Sequence, residues 1–194
     1  MRVPTGSLHL IAILLALTGG LASGQTEVRR GLSIGVGSGY GVVKWSCANC
    51  APDSWTGGLT GFVKGGGTLS PSVRLGASLD GWDHSTSGAN ETMANIAASV
   101  DCYPLASKRL FVTGGLGLSI YRLATSPAVT GRGWGLMLGL GYDVPTSPKV
   151  SLTPVARFMY GRVGDLTIAD GGAVFATGWK QSLLYAGLAV TWGP

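Results

Sequence analysis

An all-β fold, an eight-stranded antiparallel up-and-down transmembrane β-barrel, is predicted by three features of this 194-residue sequence. Apolar residues recur at every second position over segments far longer than the usual strand of about five or six residues. The positions between them are rich in glycine: the chain has 33 glycines in 194 residues, about 17% against a usual share of roughly 7%, with no collagen-like triplet. The connections alternate between short and long, as they do when strands cross a bilayer up and down.

The clearest segment is Gln181 to Trp192. Leu184, Ala186, Leu188, Val190 and Trp192 form one face, and Leu183, Tyr185, Gly187, Ala189 and Thr191 form the other. A period of two is the signature of a strand, and the unbroken apolar stripe suits a lipid-facing surface.

Residues 1–24 read as a cleaved signal peptide. Arg2 precedes the apolar run Leu8 to Leu17, and small residues lead to cleavage near Gly24-Gln25. No cysteine follows that exit before Cys47, which disfavours a lipid anchor. Residues 25–194 then make one barrel domain. That domain keeps 13 of the 14 Lys and Arg and all nine acids, an excess of four positive charges. The excess is scattered along the sequence, which argues against nucleic-acid binding.

Strand one is expected over Gly31 to Lys44, with Leu32, Ile34, Val36, Tyr40 and Val42 outward, and strand two over Gly57 to Thr68. Ser70-Pro-Ser72 is a tight turn into strand three, Val73 to Trp82, whose charges Arg74 and Asp80 share the inner face. The stretch Asp83 to Glu91 reads as a polar loop. Strand four follows over Thr92 to Tyr103, although Met93 to Val100 also fits a short helix.

Strand five, Leu110 to Leu123, and strand six, Arg132 to Val144, set Leu116, Leu118, Leu136 and Leu138 outward. Strand seven, Lys149 to Arg162, carries Phe158 and Tyr160 outward and Arg157 inward. Asp170-Gly171 reads as a hairpin turn before the last strand. The turns near Pro71, Pro104 and Pro145 would lie on the side of both chain ends, with the loops around Cys47, Ser87, Pro127 and Asp170 on the other. Tyr40, Trp134 and Tyr160 near one end, and Tyr142 and Trp192 near the other, suit interfacial girdles.

The strand parity collects six charges in the lumen: Lys64, Arg74 and Arg157 with Asp80, Asp101 and Asp143. Three of each sign read as mutual neutralisation. Eight strands leave a lumen that side chains fill, although the many inner glycines leave room for water.

Chemistry beyond that is sparse. Cys47-Ala-Asn-Cys50 is a disulfide candidate for an oxidising compartment; a zinc or redox role would need a second ligand pair or a following helix. Cys102 is left over as a buried or lipid-facing thiol. Gly35-Val-Gly37-Ser-Gly39 has no following helix and is no nucleotide loop. His84, the one histidine beyond the leader, lies between Asp83 and Ser85, whereas the members of a catalytic relay meet through the fold rather than as sequence neighbours. No catalytic residue, metal ligand or cofactor is indicated.

Tyr185, Gly187, Val190 and Trp192 resemble the terminal strand by which bacterial outer-membrane barrels are recognised for assembly, with glycine five residues before an aromatic. The pattern departs from that strand by ending Trp-Gly-Pro. Gly31 to Trp192 resembles the small eight-stranded outer-membrane barrels, the outer membrane protein X group and the transmembrane domain of outer membrane protein A, a family without a sharp internal motif. The resemblance implies a non-enzymatic outer-membrane protein with four displayed loops. Its partners would be membrane lipid, the barrel-assembly machinery and surface partners at the loops, in an envelope-integrity or surface-interaction role. Two alternatives are a lipid A deacylase or acyltransferase type of membrane enzyme, and a soluble lipocalin-like barrel. The latter would place large apolar groups inside, and no such lining is evident from the alternation.

Overall fold

The computed structural model describes residues 31–48, 50, 54–86, 88–105, 109–169 and 172–193. The predicted leader, Ser87 and the Asp170-Gly171 turn lie outside these residues. Nine strands follow one another: β1 (Leu32–Ser46), β2 (Thr56–Ser70), β3 (Val73–Thr86), β4 (Ala89–Cys102), β5 (Leu110–Ala124), β6 (Val129–Tyr142), β7 (Val144–Ser147), β8 (Val150–Ile168) and β9 (Val174–Trp192).

Each of β1 to β6 pairs antiparallel with its neighbour, β8 pairs with β6 and with β9, and β9 pairs with β1. The sheet therefore closes on itself. β7 has four residues, resumes the path of β6 after Asp143 and pairs with the same strand, β8. The ring thus has eight positions, and closure leaves no edge to face lipid. Met93 to Val100, which also fitted a helix, lies within β4.

Parity along the strands matches a bilayer as solvent. Leu32, Ile34, Val36, Leu75, Leu79, Leu116, Leu118, Leu138, Leu140, Leu184 and Leu188 are exposed outward. Such a belt would be unfavourable in water and costs nothing in a hydrocarbon layer. Trp134 and Tyr160 meet in a tilted pair at 5.9 Å on the loop-end side, while Tyr142 and Trp192 are exposed near the turns.

The strands outrun the roughly 9–11 residues that a tilted crossing needs. Two expected loops are in fact strand. Asp83 to Thr86 extends β3 and Ala89 to Glu91 extends β4, paired from Asp83↔Thr92 to Thr86↔Ala89. β8 continues to Ile168 and β9 begins at Val174, with register shifts between Arg162 and Thr167. Polarity signals exposure to water, which a strand beyond the bilayer tolerates because its backbone still pairs. Gly164 (φ 86°) and Gly178 (φ 65°) adopt the left-handed region within this irregular stretch, where a side chain would be strained.

The interior differs from the expected one. Phe62, Trp82, Met93, Phe111, Tyr121, Met137, Met159, Trp179, Leu183 and Tyr185 are buried inside as one cluster, so the lumen does have a large apolar lining. The inner glycines accept these rings rather than water. A Cβ at Gly37 would stand 2.8 Å from Phe62 Cε1, and one at Gly58 would stand 2.6 Å from Trp82 Cε2.

Candidate functional site

All six predicted lumen charges are buried inside the barrel: Lys64, Arg74, Asp80, Asp101, Asp143 and Arg157. The strands bring them together in two pairs rather than three. Halfway along the barrel, Arg157 on β8 donates from Nη1 to Asp80 Oδ1 on β3 at 2.6 Å. Tyr185 on β9 donates its hydroxyl to the same oxygen at 2.5 Å, and the Arg157 nitrogen also reaches the Tyr185 oxygen at 3.3 Å. The guanidinium carbon lies 4.7 Å from the Phe62 ring centre, a cation–π contact that supports a charge out of water.

Nearer the turns, Lys64 Nζ is 3.9 Å from Asp101 Oδ2 and 4.5 Å from the centre of the Phe111 ring. Arg74 is opposite Asp101 in register, yet its guanidinium faces the Tyr103 ring at 5.8 Å. Among the described residues it forms no ion pair. Asp143 is satisfied by hydroxyls, accepting from Tyr103 and from Thr153 at 2.9 Å each. Within this set of three charges of each sign, two ion pairs are direct, while Arg74 lies over the Tyr103 ring and Asp143 is held by hydroxyl groups. Lys64, Arg74 and Asp101 line a small cavity of about 10 Å³, room for about one water.

Towards the loops the lumen becomes aromatic. Trp45 stacks on Trp179 at 6.2 Å and meets Trp82 edge-on at 6.3 Å, and Tyr121 packs on Trp179 at 4.7 Å. The Tyr121 hydroxyl donates to Glu91. His84 has the inward parity and lies parallel to Trp82 at 5.8 Å. Sequence reasoning missed this layer because Trp45, Trp82, Tyr121 and Trp179 are separate in sequence; their shared inward parity was the available signal.

Cys47 and Cys50 are disulfide-bonded with Cα atoms 5.2 Å apart, and Ala48 N–H donates to Thr177 O at 3.0 Å. The bridge closes a short loop just past β1, and the Ala48 hydrogen bond ties the end of β1 to β9 beside the aromatic layer. Cys102 is a free, exposed thiol. In the terminal strand, Trp192 faces outward and Val190 is half-buried on the same parity, Gly187 is opposite Gly39, and Tyr185 points inward. Its bond to Asp80 was not foreseen: β3 and β9 are far apart in sequence, and only ring closure brings them together. Among the described residues no group of three His, Cys, Asp or Glu is placed to hold a metal.

Comparison with solved structures meets the same architecture. Ail, the attachment invasion locus protein of Yersinia pestis, superposes with a TM-score of 0.58 at 11% identity, covering 84% of this chain and 99% of that one. The fold is that of the small eight-stranded outer-membrane barrels. Neisserial surface protein A has the same barrel, with a TM-score of 0.51 at 19% identity, covering 81% of this chain and 96% of that one. No family model matches the sequence, and no curated protein does. Within this barrel fold the likeness resides in strand number and closure.

Proposed function

We propose that this chain is a structural, non-enzymatic protein of the bacterial outer membrane. On this reading it is exported by its leader, inserted with the help of Tyr185, Gly187, Val190 and Trp192, and presents its loop-end hairpins outside the cell for surface interaction. The observation that carries the reading is a closed barrel that is apolar outside and filled inside, crossed at mid-height by Asp80, Arg157 and Tyr185.

A soluble ligand-binding barrel is disfavoured by the exterior, where Leu116 is 67% exposed and Leu138 is 56% exposed. A lipid-modifying enzyme needs its base within reach of lipid on the outer face. His84 instead turns inward onto Trp82. The side-chain plug supports a barrel without a diffusion pore.

Cell fractionation with heat-modifiable gel mobility, followed by planar-bilayer recording, tests the proposal. The expected result is a compact band in the outer-membrane fraction that shifts on boiling, with no porin-like conductance. Recovery in the soluble fraction would overturn the location, and a large steady conductance would overturn the filled lumen.

A further inference from the structure

The excess of positive charge is scattered in sequence, but the fold gathers much of it on one level. Lys44 on β1, Lys180 on β9, Arg162 on β8, and Arg132 and Arg122 on β6 and β5 are all exposed. Each has the outward parity of its strand, shared with Val42, Leu184, Tyr160, Trp134 and Leu118 respectively. Their strands occupy five consecutive positions of the eight-position ring.

Register brings the five side chains close to one another. Arg162 is directly opposite Lys180, and Lys180 is opposite Ser46, two residues beyond Lys44. Arg132 is opposite Ile120, two residues before Arg122. Among the described residues none of the five is in an ion pair, the two pairs present being Lys64 with Asp101 and Arg157 with Asp80.

Their height along the barrel gives this sector its meaning. Arg162 follows Tyr160 by two residues and is opposite Trp134 in register, and Arg132 precedes Trp134 by two. Two residues of strand advance about 7 Å, so the cations stand one tier beyond the interfacial rings, at the depth where headgroup charges begin. The remaining sector carries Asp83 outward, accepting from Thr92 at 3.0 Å, and the one exposed acid on the strands of the cation sector, among the described residues, is Asp165, which accepts from Gly178 N–H at 3.0 Å. The turn-end rim bears Leu32, Leu69, Tyr142, Val144 and Trp192 outward, and among the described residues its cations outside the lumen are Arg109 and Lys149.

We propose that Lys44, Arg122, Arg132, Arg162 and Lys180 form a binding surface for phosphate-bearing lipid headgroups of the leaflet at the loop end. The occupant is argued from charge complementarity and depth. Five cations held beside an apolar belt match an amphiphile whose acyl chains lie along the belt and whose phosphates lie at its rim, and three arginines supply forked donors that suit phosphate oxygens. This inference rests on the membrane reading above.

The test uses full-length refolded protein in phosphatidylcholine vesicles, with and without a minor fraction of diphosphorylated lipid A, and with dephosphorylated lipid A as a control. Phosphorylated lipid A should raise the urea midpoint and broaden its own phosphorus resonance, and the dephosphorylated lipid should do neither. Replacing all five cations with glutamine should abolish both effects while folding in phosphatidylcholine persists. Lys149→Gln, at the turn end, should leave both effects intact. Should the fivefold variant fold poorly, the pair Arg132→Gln and Arg162→Gln should lose most of the broadening. Equal midpoints and linewidths with the two lipid A forms would overturn the proposal. Failure of the unaltered protein to enter any vesicle would instead overturn the membrane reading.

Discussion

Arg157 Nη1 and Asp80 Oδ1 meet at 2.6 Å across the barrel interior although 77 residues separate them in sequence. Both side chains are 1% exposed. In so dry a place the pair's worth lies less in net attraction than in what happens when one member is lost, because the survivor is a buried charge without its counterion.

Arg157→Met should therefore lower the stability of the refolded barrel by about 3–5 kcal/mol, read as a fall in the urea midpoint. Tyr185→Phe removes one hydrogen bond to the same carboxylate and leaves the ion pair, so its cost should be nearer 1.5–3 kcal/mol, about what a bond to a charged group contributes. Equal midpoints for Arg157→Met and the parent protein would place Arg157 in water. Neither substitution should open a porin-like conductance, since strand number sets the diameter.

The lipid belt predicts a cost that depends on depth. Leu138 is 56% exposed, outward and near mid-barrel, so Leu138→Arg should cost about 2–4 kcal/mol when folding is measured in lipid vesicles. A Leu138→Arg protein that folds as well as the parent would show that this face does not meet hydrocarbon.

Glycines on the two faces should respond differently to an added methyl group. A Cβ at Gly139 would sit 2.7 Å from both Ala156 O and Arg157 Cγ, whereas one at Gly61 would meet nothing within 4 Å. Gly139→Ala should therefore lower the urea midpoint, because overpacking typically costs about 1–3 kcal/mol, and Gly61→Ala should leave it nearly unchanged. A reversed order would mean that the faces are misassigned.

Thiol counting checks the loop-end bridge. With Cys47 and Cys50 joined and Cys102 free, the denatured but unreduced protein should take one alkyl label by mass spectrometry. After reduction it should take three, one for each cysteine. Three labels without reductant would mean that the bridge is absent.

A tag at Pro127, between β5 and β6, should be accessible on intact cells, and a tag at Pro145, in β7 beside the turn, should not. Cleavage near Pro145 in preference to Pro127 during protease shaving would invert the orientation.

Strand number, facing and the six lumen charges are legible along the chain because the pleat assigns each side chain a face from its immediate neighbours alone. Lys64, Arg74 and Arg157 fall on the inner parity without knowledge of any partner, and Leu116 and Leu138 fall on the outer one. Strand ends are less legible. Asp83 and Asn90 look like loop residues, yet beyond the bilayer a polar strand is as acceptable as a polar loop, and backbone pairing carries β3 and β4 onward.

Partners across the lumen depend on the tertiary structure. That Arg157 takes Asp80 rather than Asp101 or Asp143, that Tyr185 joins them, and that Trp45, Trp82 and Trp179 close the loop end all follow from register and curvature accumulated around the ring. The same holds for the cations from Lys44 to Lys180, which are dispersed in sequence and level in space. Parity is a property of one strand, whereas height and azimuth are set by every strand pairing between two residues, so only closure of the barrel decides which side chains touch.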